Sequence, residues 1–379
     1  MNIYGRSKFL KMNKFQLTFL FIALYFMTSC AQSNYDTLWK KVEQFEKEGL
    51  PKSALKEVSN IISLAKKEKN NQQNIKALLF KSKYVLTLEE DAQLKIINEF
   101  KKEIESANTI TKSILRNILA TLYWDYFKEH RWNFKNRSYT SAKTDGTDFR
   151  TWDLQTLFTA IDLNYEQSLK HKNLLQKENI KDYELLLVKA KSSELYRPTL
   201  YDILAHNALE FYKTDENSLT KPAYKFMIDQ DDYFGRYYQF IKTKITSKDT
   251  ASTQLKALKI YQDLMTLHLN DKSLKAKIQI DIERLNFVYR NAVQDHKDDL
   301  YTKCLKQEID KISDSPESAL YVFELAKFYK NKGRDFDVNA KSNPKNASKQ
   351  GLLKEALELC DEMISKFPDS KGTQNCKVL

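Results

Sequence analysis

From Tyr35 onward apolar residues recur every three or four positions, the spacing of one helix face, and charged residues fill the intervals. Tyr35, Leu38, Trp39, Val42 and Phe45 make the first stripe. Gly49-Leu50-Pro51 breaks it, and Ala54, Leu55, Val58, Ile61, Ile62 and Ala65 make a second, so the pair predicts a helical hairpin. Asn70-Asn71 interrupts the pattern before Ile75, Leu78, Leu79 and Val85, which pair with Leu94, Ile97, Phe100 and Ile104. A longer helix is predicted from Thr109 to His130, with Ile114, Leu115, Ile118, Leu119, Leu122 and Tyr126 on one side. Its aromatic end, Tyr123-Trp124-Asp125-Tyr126-Phe127 and Trp132-Asn133-Phe134, reads as packing between helix layers, with a ligand platform as the alternative.

The polar run Asn136 to Asp148 predicts a loop, and Thr151-Trp152-Asp153-Leu154 opens a helix carried by Leu157, Phe158, Ile161 and Tyr165. Arg197-Pro198-Thr199 opens another over Leu200 to Tyr212. Lys213 to Asp232 is the least helical stretch, and it leads into Tyr233-Phe234-Gly235-Arg236-Tyr237-Tyr238. Asp229, Asp231 and Asp232 lack the glycine and closing glutamate of a calcium loop, so a solvated bend is expected there. Regularity returns in Leu255 to His268, Leu274 to Ala292, Leu300 to Ile312 and Glu317 to Lys330. After a polar insertion at Asn343-Pro344, Leu353, Ala356, Leu357, Cys360, Met363, Ile364 and Phe367 form a further stripe, and Lys371-Gly372-Thr373 starts a last short helix.

The hairpins restart after roughly 35 residues, close to the tetratricopeptide (TPR) period. Each hairpin has an apolar face that it cannot bury alone, so neighbours must stack. The expected fold is therefore all-α, a TPR-like helical-hairpin repeat of the α-solenoid kind. The expected organisation is a leader over 1–29, a tether over 30–34, hairpin repeats over 35–212, an irregular bend over 213–249 and a TPR-like region over 250–379, open-ended at its C-terminus.

The leader changes the picture most. Arg6, Lys8, Lys11 and Lys14 precede an apolar run from Phe15 to Met27, far short of the roughly 20 residues a membrane span needs. That is a signal peptide, and Met12 can serve as its start as well as Met1. Met27-Thr28-Ser29-Cys30 resembles a bacterial lipobox, which implies an acylated Cys30 at the mature N-terminus and a membrane partner reached through it. Several acyl chains hold a protein at a membrane durably. Ala31, a non-Asp residue after the cysteine, points to the outer membrane, facing either the periplasm or the cell surface.

Composition removes whole classes of function. The chain has 379 residues, a net charge of +12, 7 Gly and 6 Pro, and its mean hydropathy is −0.60. Lys and acidic residues alternate along the helices as on a solvated face, so no nucleic-acid partner is expected. His130, His171, His206, His268 and His296 never stand at metal-ligand spacing, and no C-x-x-C, phosphate-cradling glycine loop or G-x-S-x-G occurs. No catalytic residue, metal or cofactor is expected. With Cys30 assigned to lipid, Cys360 and Cys376 on adjacent helices are expected either to form a disulfide or to be two small buried apolar residues. Cys304-Leu305-Lys306-Gln307 has the spacing of an internal thioester, but lysine replaces its glutamate, and Cys304 continues the apolar stripe of Tyr301, Ile309 and Ile312.

Three stretches carry a family likeness: Tyr35 to Glu43 leading through Gly49 to Leu55; Thr151-Trp152-Asp153-Leu154; and Arg197 to Leu209 followed by Leu219-Thr220-Lys221-Pro222-Ala223-Tyr224. Together they resemble the helical N-terminal region of the alpha-2-macroglobulin-like lipoproteins of Bacteroidetes-type bacteria. The resemblance implies an envelope protein that belongs to a protease trap and has proteases or envelope proteins as partners. The chain shows no β-sandwich pattern, so it implies the anchor and spacer of such a trap and no bait or thioester position. The alternative is a stand-alone TPR-like or SusD-like lipoprotein, with the Tyr233 to Tyr238 aromatics stacking on sugars.

Overall fold

The computed structural model describes residues 34–135, 148–188, 190, 192–214, 224–340 and 344–379. Cys30, the leader and most of the Asn136 to Asp148 loop lie outside them. The described residues are helical, with no strand and two isolated β-bridges among them. They divide into two compact units: residues 34–105 with Asp148–Arg150, and the remainder from Ser106. The division falls inside the stretch expected as one region, 35–212.

The first unit holds α1 (residues 34–47), α2 (Pro51–Glu68), α3 (Asn71–Leu88) and α4 (Ala92–Ser106), whose last residue already belongs to the second unit. The break between α1 and α2 is chemical. Gly49 adopts φ +69°, which a residue without Cβ reaches easily. There the Leu50 N–H reaches the Phe45 carbonyl at 2.8 Å and the Gly49 N–H the Glu46 carbonyl at 3.1 Å, closing the helix end. Pro51 then starts α2, where its missing N–H is harmless. Asn70 caps α3 by accepting from the Gln73 N–H. The core of this unit is the predicted stripe pair, Tyr35, Trp39 and Val42 against Ala54, Val58, Ile61 and Ala65, closed by Ala77 and Tyr84. The polar atoms of its aromatic rings are paired. Trp39 Nε1 donates to Gln73 Oε1 at 2.7 Å, and Tyr35 Oη to Glu68 at 2.7 Å.

The second unit contains α5 (Thr109–Glu129), α6 (Arg131–Lys135), α7 (Leu154–Leu169), α8 (Lys172–Leu175), α9 (Leu200–Tyr212), α10 (Tyr237–Lys242), α11 (Thr253–Leu267), α12 (Leu274–Asn291), α13 (Lys297–Lys311), α14 (Ser318–Gly333), α15 (Pro344–Lys366) and α16 (Lys371–Val378). Starts sit where capping chemistry puts them. Asp153, Ser252, Ser273 and Ser370 each accept a first-turn N–H, and Thr199 and Asp202 satisfy one another's backbone in a capping box.

Two features depart from the one-sided stripes of the sequence. Helix α5 is buried around most of its girth, with Ile114, Leu115, Leu119, Tyr123, Trp124 and Phe127 all inside. Its aromatic end is packing, since Trp124, Phe127, Phe158 and Phe211 hold ring centroids 5.0–6.0 Å apart. Helix α15 begins at Pro344, well before the apolar stripe, and leaves Leu357 exposed.

The bend expected to be solvated is partly core. Asp229, Asp231 and Asp232 do face solvent. Phe226, Ile228, Tyr233, Phe234, Tyr237 and Phe240 are buried instead, over a 3-10 turn at Asp231–Phe234 and the short α10. The Val293 N–H bonds the Ile228 carbonyl at 3.1 Å, and Asp249 accepts the Phe226 N–H at 3.1 Å, tying the segment to its neighbours. Sugar stacking by Tyr233, Phe234 and Tyr237 is therefore corrected: their rings fill the interior. Tyr238 alone of that run is exposed, flanked by the ammonium groups of Lys277 and Lys311 at 4.9 and 4.5 Å from its ring centroid.

Candidate functional site

The densest polar chemistry among the described residues lies in the second unit, on the inner face of α12. Asp281 and Arg284 stand one turn apart among Ile278, Ile280 and Leu285, all buried. The Asp281 carboxylate accepts from Arg284 Nη2 through one oxygen and from Tyr321 Oη, on α14, at 2.7 Å through the other. Arg284 Nη1 donates to the Tyr233 carbonyl at 3.0 Å, and the guanidinium lies 4.6 Å from the Phe240 ring centroid. Burial alone lowers an arginine's affinity for its proton, but Asp281, Cys304 and Tyr321 together outweigh it and the net shift is upward. Burial also pushes the Tyr321 phenol well up, so it stays a donor.

Cys304, on α13, is buried beside this knot, near the Arg284 guanidinium. Burial pushes the thiol up to about 12, against the pull of Arg284. A thiol so placed is protonated at neutral pH and is a poor nucleophile. Cys304 and Phe234 line a cavity of about 590 Å³ together with Arg236, Lys242, Lys244 and Lys303 and the carboxylates of Asp231 and Asp232. Arg236 Nε is held at 3.0 Å by the buried Glu308.

A second cluster joins α9 to the end of α11. Asp202 is fully buried, and its carboxylate accepts the Thr199 N–H at 2.9 Å and Thr199 Oγ1 at 2.8 Å through one oxygen. His268 Nε2 reaches the other oxygen at 2.8 Å, and its Nδ1 lies 2.7 Å from Asp271. Burial works against a proton on His268, but the two carboxylates prevail and raise its pKa above 6.5. His206 behaves oppositely. Its Nδ1–H donates to the Asp202 carbonyl at 2.6 Å, and burial lowers its pKa, opposed by Glu283. These histidines are far apart in sequence, so spacing could not pair them. The Asp281 and Arg284 pair did leave a signal, a charged i, i+3 couple on an otherwise apolar face.

The remaining predicted positions can be placed. Cys360 and Cys376 are buried free thiols brought together where α16 packs on α15. His296 is exposed with its Nε2 3.0 Å from Asp231. Among the described residues no group of three His, Cys, Asp or Glu has the geometry to hold a metal ion, and no helix is long and apolar enough to cross a membrane. Compared with protein-family models, curated proteins and solved structures, the chain matches none of them.

Proposed function

We propose that this chain is an outer-membrane lipoprotein of the cell envelope, held by acyl groups on Cys30, whose TPR-like helical body works through its surface and not through a reactive group. The lipobox and the family likeness read from its sequence make it the anchor and spacer of an alpha-2-macroglobulin-like protease trap. The observation that carries the reading is the closeness of anchor to body. Helix α1 begins at residue 34 and already buries Tyr35 and Trp39. Only Ala31-Gln32-Ser33 intervene after Cys30, a reach of roughly 10 Å at full extension. A body tied so closely to lipid stands at the membrane surface and presents its helices from there.

Two further observations support a spacer. Helices pack chiefly on near neighbours in sequence, α2 on α3, α5 on α7, α14 on α13 and α15, as hairpin stacks do. The buried ionisable groups are spent on one another, as Asp281 is on Arg284 and Tyr321, which makes them struts.

Metabolic labelling with a fatty-acid probe tests the tether. The wild type is expected to take up label and to fractionate with the outer membrane, and Cys30→Ser to do neither. Equal labelling of both would end the proposal. Cross-linking in intact cells tests the role, with a protein carrying macroglobulin β-domains expected as partner. Capture of a glycan-uptake transporter instead would replace the trap with the glycan-receptor alternative.

A further inference from the structure

The thiols of Cys360 on α15 and Cys376 on α16 are both buried where the two helices pack, near enough for each to perturb the other. Their meeting is enforced by the seat of α16. Gly372 lies against the backbone of α14, where an added Cβ would stand 2.2 Å from the Ala319 carbonyl carbon. Thr373 Oγ1 donates to the Met363 carbonyl of α15 at 3.2 Å, and Ser370 caps the Thr373 N–H at 3.1 Å. These contacts seat α16 on α14 and α15, which keeps Cys376 beside Cys360. Cys304 is the internal contrast, since the group that perturbs it most after burial is the Arg284 guanidinium and not a second thiol.

We propose that Cys360 and Cys376 form a redox-sensitive staple, closed by exchange with an external disulfide, that locks α16 onto α15, while reduction restores the seated thiol form that can still open. The order of events follows from burial. When the short α16 opens, Cys376 loses its proton to solvent and its thiolate attacks one sulfur of the external disulfide. That S–S bond breaks, one thiolate leaves, and a mixed disulfide remains on Cys376. As α16 recloses, Cys360, deprotonated in turn, attacks the Cys376 sulfur and expels the second thiolate. Two protein thiols are oxidised and one external disulfide is reduced to two thiols, which take up the two protons. Burial raises the pKa of both thiols, that of Cys376 to about 12, so the closed state protects them and exchange follows the opening of α16.

The full chain, equilibrated in buffers of oxidised and reduced glutathione without denaturant, gives the test by peptide mapping and hydrogen exchange. The expected product links Cys360 to Cys376, carries no glutathione at either, and forms equally in Cys304→Ser. Amide exchange across Lys371–Val378 is expected to slow on closure by roughly a hundredfold, the factor that a loop of this length removes from the opened ensemble. Cys360→Ser should instead retain a glutathione on Cys376. Persistent mixed disulfides on both wild-type cysteines, a link to Cys304, or closure only in denaturant would each overturn the proposal.

Discussion

His268 Nε2 lies 2.8 Å from Asp202 Oδ1, across 66 residues of sequence, and both side chains are shut away from solvent. The same Asp202 receives the Nδ1–H of His206 on its carbonyl. One residue therefore anchors two imidazoles whose proton affinities are pushed in opposite directions.

That opposition predicts a pH dependence of stability. His268 has a raised pKa in the folded protein, so its contribution is fully present below its unfolded value of about 6.5 and is lost as pH rises through the folded value. His206 has a lowered one, so its contribution is present above about 6.5 and fades as pH falls towards its folded value. In thermal melts across this range, His268→Gln should lose most relative to wild type on the acid side, and His206→Gln should lose least there. Parallel curves for the two variants would contradict the assignment.

The knot on α12 predicts a large asymmetry between single and double changes. Asp281→Ala strands the buried Arg284 guanidinium and is expected to destabilise by about 3–5 kcal/mol in urea unfolding. Asp281→Leu with Arg284→Met removes both charges and should recover much of that loss. A double variant as weak as the single would mean the charges are not each other's main partner.

Asn117 makes a neutral counterpart. Its amide Nδ2 donates to the Leu204 carbonyl at 3.0 Å and to Ser168 Oγ at 3.2 Å, and its oxygen accepts from Asn207 at 2.8 Å, joining α5, α7 and α9. Asn117→Ala removes a buried amide together with its bonds to the Leu204 carbonyl and Ser168 Oγ, and a loss of about 1–3 kcal/mol is expected from denaturant midpoints. Asn207→Ala, at an exposed position, should cost less.

Two glycines separate close approach from mere flexibility. Gly372→Ala must push α16 away from the Ala319 carbonyl and should destabilise by about 1–3 kcal/mol. Gly351, inside α15, has nothing within 4 Å of where a Cβ would stand, so Gly351→Ala should stabilise by up to about 1 kcal/mol. Melting temperatures moving the same way in both would refute the packing of α16.

Local chemistry wrote most of the helix boundaries. Gly49 and Pro51 end one helix and start the next, Asn70 caps α3, and Thr199 with Asp202 begins α9 where the sequence placed it. These devices act over a few residues, so they are legible in a linear string, as are the apolar stripes that became the first unit's core. The lipobox-like run ending at Cys30 is likewise a pattern of the string alone. What the string could not carry is which side chains meet across distance. It left the Tyr233 to Tyr238 aromatics free to face solvent, and tertiary packing buried Tyr233 and Phe234 against α12 and α13 and Tyr237 against α11. It held the histidines apart, and the fold brought His206 and His268 onto Asp202. Periodicity reports that a residue faces inward; only the assembled helices decide what it finds there.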